Sequence, residues 1–504
     1  MAESWATLGV DLHVEPTGPR VRRGLTDALR DAVRTGRLAP GTRLPSSRVL
    51  ATDLGIARNT VADAYADLVA EGWLTARQGS GTRVAARVPT SSGRSGAAAL
   101  PAGTASHPRP RSRPAYDLLP GVPDLSSFPR AEWLKAARRA LVAAPNEVFD
   151  YGDPRGRIEL RTALAEYLAR ARGVHADPGR ILICAGIAHG LQILGAVLRA
   201  RGASTVAVES YGLDVHWRLL EGTGLRTVPL PFDELGTDPR QLTDQAAVLL
   251  TPAHQFPMGG TLHRDRRAAV VDWARRTGGL VVEDDYDGEF RYDRQPVGAL
   301  QGLDPDHVVY AGTASKSLAP GLRLAWLVLP PGLVGEAARA KGGKDMCGVL
   351  DQLTLAQFLT SGAYDRHVRA ARLRYRRRRD ALVAEVARRA PQVHATGISA
   401  GLHVVLRLPP GTEQATLRAA SWQDLSVHGL HRYRHPHAPL DPLDALVVGY
   451  GTPPDHAWSG ALEALCAVLP EAEAEAGAGA GAGAETEAGA GETAGDAEGP
   501  VGPK

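Results

Sequence analysis

The stretch Gly312-Thr-Ala-Ser-Lys316-Ser-Leu-Ala-Pro-Gly-Leu-Arg323 contains one of only five lysines in a chain of 504 residues that is rich in arginine. A Schiff base with an aldehyde needs an amine, which the guanidinium group of arginine cannot supply. The apolar residues 308–310, just before this stretch, predict a β-strand. Lys316 would then lie at the carboxyl end of a sheet, where open α/β folds bind their ligands.

Further apolar runs alternate with helical stretches on both sides of this motif, which predicts an α/β fold with a mostly parallel sheet covered on both faces. The predicted strands are 181–184, 205–208, 247–250, 280–282, 308–310 and 324–329. After Asp345 the pattern becomes more helical and predicts a smaller C-terminal lobe, with strands at 402–408 and 445–449. This body is expected to span residues 116–470.

The N-terminal part has a different pattern, with a predicted helix at about 20–34, a short helix capped by Ser46, and a third helix at about 58–70. Two short strands then flank Arg77-Gln-Gly-Ser-Gly81, which predicts a hairpin. This order is typical of a winged helix-turn-helix over residues 16–86. Such a domain places the first residues of its recognition helix at the edges of DNA bases.

The segments Gly41-Thr-Arg-Leu-Pro-Ser-Ser-Arg48 and Ala57-Arg-Asn-Thr60 resemble the GntR family of winged helix-turn-helix regulators. The resemblance implies that operator DNA is a partner. It also implies DNA contacts from the second helix, the start of the third and the tip of the wing. These candidates are Arg48, Arg58, Asn59, Thr60, Gln78 and Gly79. The alternative is that they are solvated residues of a small helical domain.

Three further segments accompany the lysine motif: Tyr151-Gly-Asp-Pro-Arg-Gly156, Thr251-Pro-Ala-His-Gln-Phe-Pro-Met-Gly259 and Glu283-Asp-Asp-Tyr-Asp-Gly-Glu-Phe290. Together they resemble the fold-type-I aminotransferases, which depend on pyridoxal 5'-phosphate (PLP). Combined with the GntR-like head, the body resembles that of the MocR/GabR family of transcription regulators. Those regulators have this order of domains and bind PLP in the body.

The resemblance implies a role for each matching residue. Lys316 would form the Schiff base, Asp284 would pair with the pyridine nitrogen, and Tyr286 would contact the phenolic oxygen of PLP. Phosphate contacts are expected from Thr313, Ser315 and Arg323, and from backbone N–H groups at Gly186, Ile187 and Ala188. Tyr151 matches a residue that reaches the phosphate of the neighbouring subunit, which implies a homodimer.

Three positions depart from the aminotransferase pattern. The phosphate loop reads Ala185-Gly-Ile-Ala-His189, without the usual hydroxyl or amide side chains. The position of the aromatic residue that stacks on the cofactor ring holds Leu213, with Tyr211 or His189 as possible substitutes. The stretch 444–449 lacks the arginine that holds a substrate carboxylate, and only Arg432 and Arg434 are nearby.

These features predict a PLP-binding transcription regulator that senses PLP or a PLP–amino acid aldimine. The alternatives are a working PLP-dependent aminotransferase that carries a DNA-binding domain, and a regulator whose body no longer binds PLP. Because an amino acid without a carboxylate clamp is poorly oriented for proton abstraction, the missing arginine disfavours physiological turnover.

The composition of the segments outside these two parts, and the cysteine content, bear on chain flexibility and on the cellular location. Residues 87–115 carry five arginines and no acid, and are expected to be a flexible linker, while the Glu/Ala/Gly-rich residues 471–504 are expected to be disordered. The three cysteines, Cys184, Cys347 and Cys466, form no CxxC motif, which favours a reducing cytosol and argues against a zinc site. We expect no bound metal. No signal peptide or membrane span is predicted, so we expect a cytoplasmic protein.

Overall fold

The computed structural model describes residues 21–35, 37–77, 81–85, 114–292, 297–439 and 441–470. Contacts divide the chain into two units, residues 1–107 and 108–504. The tail 471–504 lies outside the described residues, as does the predicted linker 87–115 apart from its last two residues.

The described part of the first unit contains three helices followed by a two-stranded antiparallel hairpin. They are α1 (Val21–Arg34), α2 (Ser47–Leu54), α3 (Arg58–Ala70), β1 (Leu74–Arg77) and β2 (Gly81–Val84). Ser46 caps α2 as predicted, because its side chain accepts a hydrogen bond from the backbone N–H of Val49 at 3.3 Å. Gly55 ends the helix in the left-handed conformation, with φ 65°. The predicted helix-turn-helix and hairpin are confirmed, and the two strands extend to include Arg77 and Gly81.

The core of this unit is formed where the helices and the hairpin meet. Leu25 and Leu29 of α1 and Val61 and Leu68 of α3 are fully buried. Val21, which has the same spacing as the buried α1 leucines, is exposed because it begins the helix. The apolar face of α1 therefore starts one turn later than its four-residue spacing suggests.

The second unit is built on a seven-stranded sheet with the strand order β4-β12-β11-β10-β9-β5-β6. The strands of this unit before residue 330 are β3 (Tyr116–Asp117), β4 (Ile181–Cys184), β5 (Thr205–Glu209), β6 (Arg226–Leu230), β7 (Phe232–Asp233), β8 (Gly236–Thr237), β9 (Ala247–Leu250), β10 (Leu280–Asp284), β11 (Val308–Thr313) and β12 (Ala325–Val328). Within the sheet, β12 alone pairs antiparallel with its neighbours.

Helices cover both faces of this sheet. In chain order, the helices described in this unit are α4 (Arg130–Ala143), α5 (Ile158–Arg172), α6 (Ile187–Ala200), α7 (Asp214–Gly222), α8 (Arg264–Thr277), α9 (Val334–Ala340), α10 (Val349–Thr360), α11 (Ala363–Arg389), α12 (Glu413–Trp422) and α13 (Trp458–Val468). The last two, α12 and α13, pack in the smaller C-terminal lobe and not on this sheet. Successive side chains of a strand point to opposite faces. Ile183 accordingly packs in one cluster with Phe358 of α10, whereas Leu182 packs in another with Leu191 of α6. The predicted α/β sheet is confirmed.

A smaller C-terminal lobe follows, as the sequence predicts. It contains β13 (His394–Thr396), β14 (His403–Arg407), β15 (Leu425–Ser426), β16 (His428–Gly429) and β17 (Ala445–Gly449). Four of these strands form an antiparallel sheet in the order β13-β14-β17-β16. Among the helices that the structure describes, none combines the length and the apolar character that crossing a bilayer requires.

Three strands of the large sheet extend further than their apolar runs indicate. β5 continues to Glu209, β10 to Asp284 and β11 to Thr313, so polar residues form their last positions. The edge strand β6 has no counterpart among the predicted strands, because Arg226 and Pro229 interrupt its apolar pattern. The carboxyl ends of β5, β9, β10 and β11 lie side by side and form the edge on which the candidate site is built.

Candidate functional site

A cavity of about 310 Å³ lies at these carboxyl ends. This volume is at the lower end of the range for small-molecule sites. Its wall brings together most of the residues predicted to bind a cofactor: Ile187, Ala188, Asp284, Tyr286, Thr313, Ser315, Lys316 and Arg323. The predicted motifs therefore meet in one place, although more than a hundred residues separate the first from the last in the sequence.

Two residues separate Lys316 from the end of β11, and the lysine side chain lines the cavity. Its Nζ donates a hydrogen bond to the carbonyl oxygen of Gly121 at 2.5 Å. Burial lowers the pKa of the lysine, and the carboxylates of Asp284 and Asp287 oppose this shift. Since the neutral amine is the nucleophilic form, the burial favours attack on a carbonyl group.

Asp284, the last residue of β10, is buried and lacks one of the hydrogen bonds that a carboxylate normally has. Its Oδ1 atom has no hydrogen-bond partner among the residues that the structure describes. Burial raises the pKa of Asp284 to about 7, while the positive charge of Lys316 opposes the rise. A buried carboxylate oxygen without a donor is costly unless a ligand supplies one. The protonated pyridine nitrogen of PLP is a donor of this kind, so the residue fits the predicted cofactor.

His216 in the first turn of α7 lines the cavity close to this carboxylate and is not among the residues that the sequence predicts. Its Nδ1 is 3.9 Å from Oδ2 of Asp284. Burial and the charge of Lys316 lower its pKa to about 4, so the imidazole is neutral near pH 7. Its position three residues after Leu213 was the available signal, because that spacing places both side chains near one face of the helix start.

Tyr286 also lines the cavity, and its hydroxyl is 3.0 Å from Nδ1 of His254. That same nitrogen is 2.8 Å from Oδ2 of Asp287. Burial raises the pKa of Tyr286 well above its ordinary value, as do the charges of Asp287 and Asp284. The hydroxyl therefore keeps its proton and can act as a hydrogen-bond donor.

The opposite end of the cavity suits an anion. The first N–H groups of α6, at Ile187 and Ala188, have no acceptor within the helix. Arg323 lies beside them and donates from Nη2 to the carbonyl oxygen of Ala185 at 2.6 Å. Thr313 donates to the hydroxyl of Ser315 at 2.8 Å. Two hydroxyls, a guanidinium and a helix N-terminus thus surround a space that could hold the phosphate.

Leu213 lines the cavity at the position where aminotransferases carry a stacking aromatic residue, and neither proposed substitute does so. Tyr211 is buried against Phe232, with ring centroids 6.4 Å apart. His189 accepts a hydrogen bond from the N–H of Ala185 at 3.1 Å through Nδ1. The aromatic side chain of Phe256 is instead part of the wall.

Arg323 is the only arginine among the described residues that line the cavity. Arg432 is exposed to solvent, and Arg434 donates to the carbonyl oxygen of Ala438 at 3.0 Å. Among the described residues, neither Arg432 nor Arg434 therefore lines the cavity as a substitute for the arginine that holds a substrate carboxylate. Tyr151 also lies outside the cavity wall and is 83% exposed, with Nζ of Lys344 4.6 Å from its ring centre.

Three of the candidate DNA-contacting residues lie exposed on the surface of the first unit. Arg48 is exposed on α2, and Arg58 and Asn59 are exposed in the first turn of α3. Thr60 is half-buried, and its N–H donates to the carbonyl oxygen of Ala57 at 3.0 Å. Gln78 and Gly79 lie outside the described residues.

Within the part of the chain that the structure describes, two groups of side chains have donor atoms close enough for a metal ion, namely His254, Asp287 and His403, and Glu413, His431 and Asp444. Each group already contains hydrogen bonds that explain the proximity. His254 bonds to Asp287, and the carboxylate of Glu413 accepts from the N–H groups of Leu430 and Ala445, each at 3.1 Å. We therefore assign no metal to either group.

Comparison with known proteins agrees with this division of the chain. Residues 22–84 match the family described as bacterial regulatory proteins of the gntR family, and residues 121–434 match the class I and II aminotransferases. An archaeal alanine:glyoxylate aminotransferase has a similar fold, with a TM-score of 0.63 and 23% identity over 70% of this chain and 90% of that one.

Relatives of nearly full length are regulators. The pyridoxine biosynthesis transcriptional regulator PdxR of Corynebacterium glutamicum is 34% identical over 83% of this chain and 89% of its own length. The probable rhizopine catabolism regulatory protein MocR of Rhizobium meliloti is 33% identical over 85% of this chain and 90% of its own. The chain therefore belongs to the MocR-like HTH-type transcriptional regulators, in which a GntR-family DNA-binding domain precedes a class I and II aminotransferase domain with PLP as its cofactor.

Proposed function

We propose that this regulator responds to PLP itself, bound at Lys316, and that the response alters how its N-terminal domains bind operator DNA. The observation that carries the proposal is the composition of the cavity. An amine at Lys316 and a carboxylate at Asp284 face the same space, and Arg323 is the only arginine in its described wall. The cavity thus has groups suited to PLP but no second arginine for an amino acid carboxylate.

The site residues have the following proposed roles. When bound, PLP supplies an aldehyde for reaction with an amine and a ring that withdraws electrons. Lys316 provides the amine, Asp284 keeps a proton on the ring nitrogen, and Tyr286 donates to the phenolic oxygen. The phosphate is held by the start of α6 at Gly186, Ile187 and Ala188, together with Thr313, Ser315 and Arg323.

The choice of PLP over an amino acid as the effector rests on two observations. An amino acid would need a group that orients its carboxylate, and Arg432 and Arg434 do not line the cavity. The name of the relative PdxR refers to pyridoxine biosynthesis, which is consistent with a vitamin B6 compound as the signal. A ligand shifts a conformational equilibrium only by its difference in affinity for the two states. PLP must therefore bind one arrangement of the protein more tightly than another.

We also propose a homodimer, with the second copy on an apolar surface of the body. Leu134 and Val142 of α4 are 69% and 80% exposed, and Phe149, Tyr151 and Met346 are exposed as well. Exposed apolar side chains mark an interface with another protein where they form one contiguous patch, and we propose that these five do so. In this arrangement Tyr151 would contact the phosphate in the partner's cavity. Two N-terminal domains would then read two half-sites in the cytoplasm.

An absorbance titration combined with DNA binding tests the proposal. Purified protein should gain a visible band on addition of PLP, and its affinity for operator DNA should change over the same range of PLP concentration. The band without any change in DNA affinity would contradict sensing. The absence of a band would contradict PLP binding at Lys316.

Catalytic turnover remains the alternative function, and the burial of Lys316 favours it because a lysine with a lowered pKa can also accept a proton from a substrate. A steady-state assay with several amino donors separates the two functions. Turnover at about 1 per second or faster, the ordinary range for enzymes, would establish an aminotransferase. The proposed regulator should show at most slow half-reactions.

A further inference from the structure

One ring nitrogen, Nδ1 of His254, faces two oxygen atoms at hydrogen-bonding distance. It is 2.8 Å from Oδ2 of Asp287 and 3.0 Å from the hydroxyl of Tyr286. An imidazole nitrogen carries either a proton or a lone pair, so it donates or accepts but cannot do both. The protonation of Nδ1 therefore decides whether the ring can accept the hydroxyl proton of Tyr286.

The two protonation states have different consequences for the cavity. With the proton on Nδ1, the ring donates to Asp287, and the hydroxyl proton of Tyr286 is free to point into the cavity. With a lone pair on Nδ1, the ring accepts that hydroxyl proton, and Tyr286 offers the cavity only an acceptor. Because a carboxylate stabilises a proton on the ring nitrogen that faces it, Asp287 favours the first state.

Both members of the pair are buried, and the smaller lobe closes the space around them. His254 and Asp287 are 5% and 2% exposed. Gly401, just before β14, lies against both side chains, and a Cβ atom there would be 2.6 Å from Nδ1 of His254 and from Oδ2 of Asp287. Water is thereby kept from competing with Tyr286 for the ring nitrogen.

The other titratable groups around this pair leave the preference unchanged. The ring of His403 is 5.1 Å from that of His254, and its Nε2 donates to the carbonyl oxygen of Pro257 at 3.0 Å. Burial lowers the pKa of His403 to about 3, so this ring is neutral. On the cavity side, Tyr286 faces Asp284, Lys316 and Glu209, and burial raises the pKa of Glu209 to about 8.

We propose that Asp287 and His254 form a positioning pair that holds the ring proton on Nδ1 and so keeps Tyr286 a hydrogen-bond donor towards the cofactor. This inference rests on the proposed binding of PLP at Lys316. Neither member of the pair touches the cavity contents directly. Both act through Tyr286.

The pair has a measurable effect with a defined sign. A donor at the phenolic oxygen of PLP stabilises negative charge there, which favours loss of the proton from the nitrogen that joins Lys316 to the cofactor. Loss of the donor should raise the pH midpoint at which the visible band changes. The loss of the negative charge of Asp287, taken by itself, would have the opposite effect. A nearby carboxylate stabilises a protonated nitrogen, so its removal would lower the midpoint. The direction of the shift therefore separates the two effects.

The test is a pH titration of the visible absorbance of the full-length, PLP-loaded protein. Asp287→Asn should raise the midpoint by about 0.5–1 pH unit, a typical size for the loss of one hydrogen bond to a titrating group. Tyr286→Phe should raise it at least as far, and the double variant should go no further than Tyr286→Phe alone. His307→Asn, which disrupts a similar histidine–aspartate contact of 3.1 Å with Asp304 outside the cavity wall, should leave the midpoint unchanged.

His254→Leu provides a second measurement should Asp287→Asn fail to fold. It keeps the carboxylate and lets Asp287 accept the hydroxyl proton of Tyr286, so the midpoint should again rise. A lower or unchanged midpoint in either variant would overturn the positioning role, as would a full additional shift in the double variant. A wild-type protein with no visible band would instead contradict the proposed function.

Discussion

The guanidinium group of Arg323 lies so close to Gly186 that any side chain at position 186 would have to displace it. A Cβ atom at position 186 would be 2.7 Å from Cζ of Arg323, closer than side chains approach one another. Gly186 also has φ 88°, which L residues rarely adopt, and it caps the start of α6. The guanidinium can therefore reach the phosphate end of the cavity because position 186 has no side chain.

Gly186→Ala should weaken PLP binding, by about tenfold if one charge-assisted hydrogen bond is lost. The added methyl group displaces Arg323 from the helix N-terminus. Gly202→Ala is a matched control, because Gly202 has the same φ of 88° but nothing within 4 Å of an added Cβ atom. Absorbance titration gives both affinities. Equal losses in the two variants would mean that backbone strain, and not the contact with Arg323, is responsible.

Lys316→Ala should abolish the visible band expected near about 420 nm for PLP joined to a lysine. Alanine has no amine to react with the aldehyde. Lys135→Ala, which alters an exposed lysine of α4, should leave the spectrum unchanged. A band that persists in Lys316→Ala would assign the cofactor to another lysine.

Arg58→Ala should weaken binding to operator DNA by roughly 1–3 kcal/mol and leave the PLP spectrum intact. Arg58 is exposed at the start of α3, where a recognition helix meets base edges. Arg23→Ala on α1 removes an equal charge from another exposed position and should have a much smaller effect in a binding titration at the same salt concentration. Equal losses would indicate that only the overall charge matters.

Asp284→Asn should make the stability of the PLP-free protein less dependent on pH. Burial raises the pKa of Asp284 from 3.8 to about 7, so the folded state binds a proton that the unfolded state has lost between those values. Stability conferred by this protonation is therefore present at low pH and lost as the pH rises towards 7. Denaturation at pH 5 and pH 8 should show a difference smaller in Asp284→Asn than in the wild type, by on the order of 1 kcal/mol.

The comparison between variant and wild type is needed because other buried carboxyls act in the same direction. Burial raises the pKa of Glu209 to about 8 and that of Glu283 to about 7. Both remain in the variant, so their own burial contributes equally to the two proteins. The charge of Asp284 also raises the pKa of Glu209, so its removal reduces the pH dependence in the same direction. An identical pH dependence in the two proteins would show that Asp284 ionises normally in the folded state.

Val142→Asp should weaken the proposed dimer. The side chain is 80% exposed on α4, and a carboxylate there would have to be desolvated on association. Leu303→Asp alters a residue that is 52% exposed outside α4 and serves as the control. Sedimentation at several protein concentrations measures the association, and unchanged association in Val142→Asp would place the interface elsewhere.

The sequence could place Lys316 and Asp284 because each follows an apolar run of strand length. A strand fixes where its last residue lies, and parallel strands bring their carboxyl ends together. The resemblance to known families then supplied candidate roles for both residues. Local pattern and topology together were sufficient for this part of the site.

Contacts between distant segments could not be predicted in this way. The carbonyl oxygen of Gly121 accepts from Lys316, and Gly401 closes the space around His254, yet neither glycine belongs to a periodic pattern. The arginine run 372–379 gives a further example, because its composition indicates a solvated helix face. Arg378 of that run is buried and pairs with Asp124 and Asp455.

The exposure of Tyr151 couples two equilibria if its hydroxyl completes the site of a second copy. Association of two chains would then improve the affinity for the cofactor by some factor, and thermodynamic linkage requires the cofactor to tighten association by the same factor. Occupancy would depend on how much protein a cell contains as well as on how much PLP is present. A regulator present at low concentration would therefore need a higher concentration of PLP to respond than one present at high concentration.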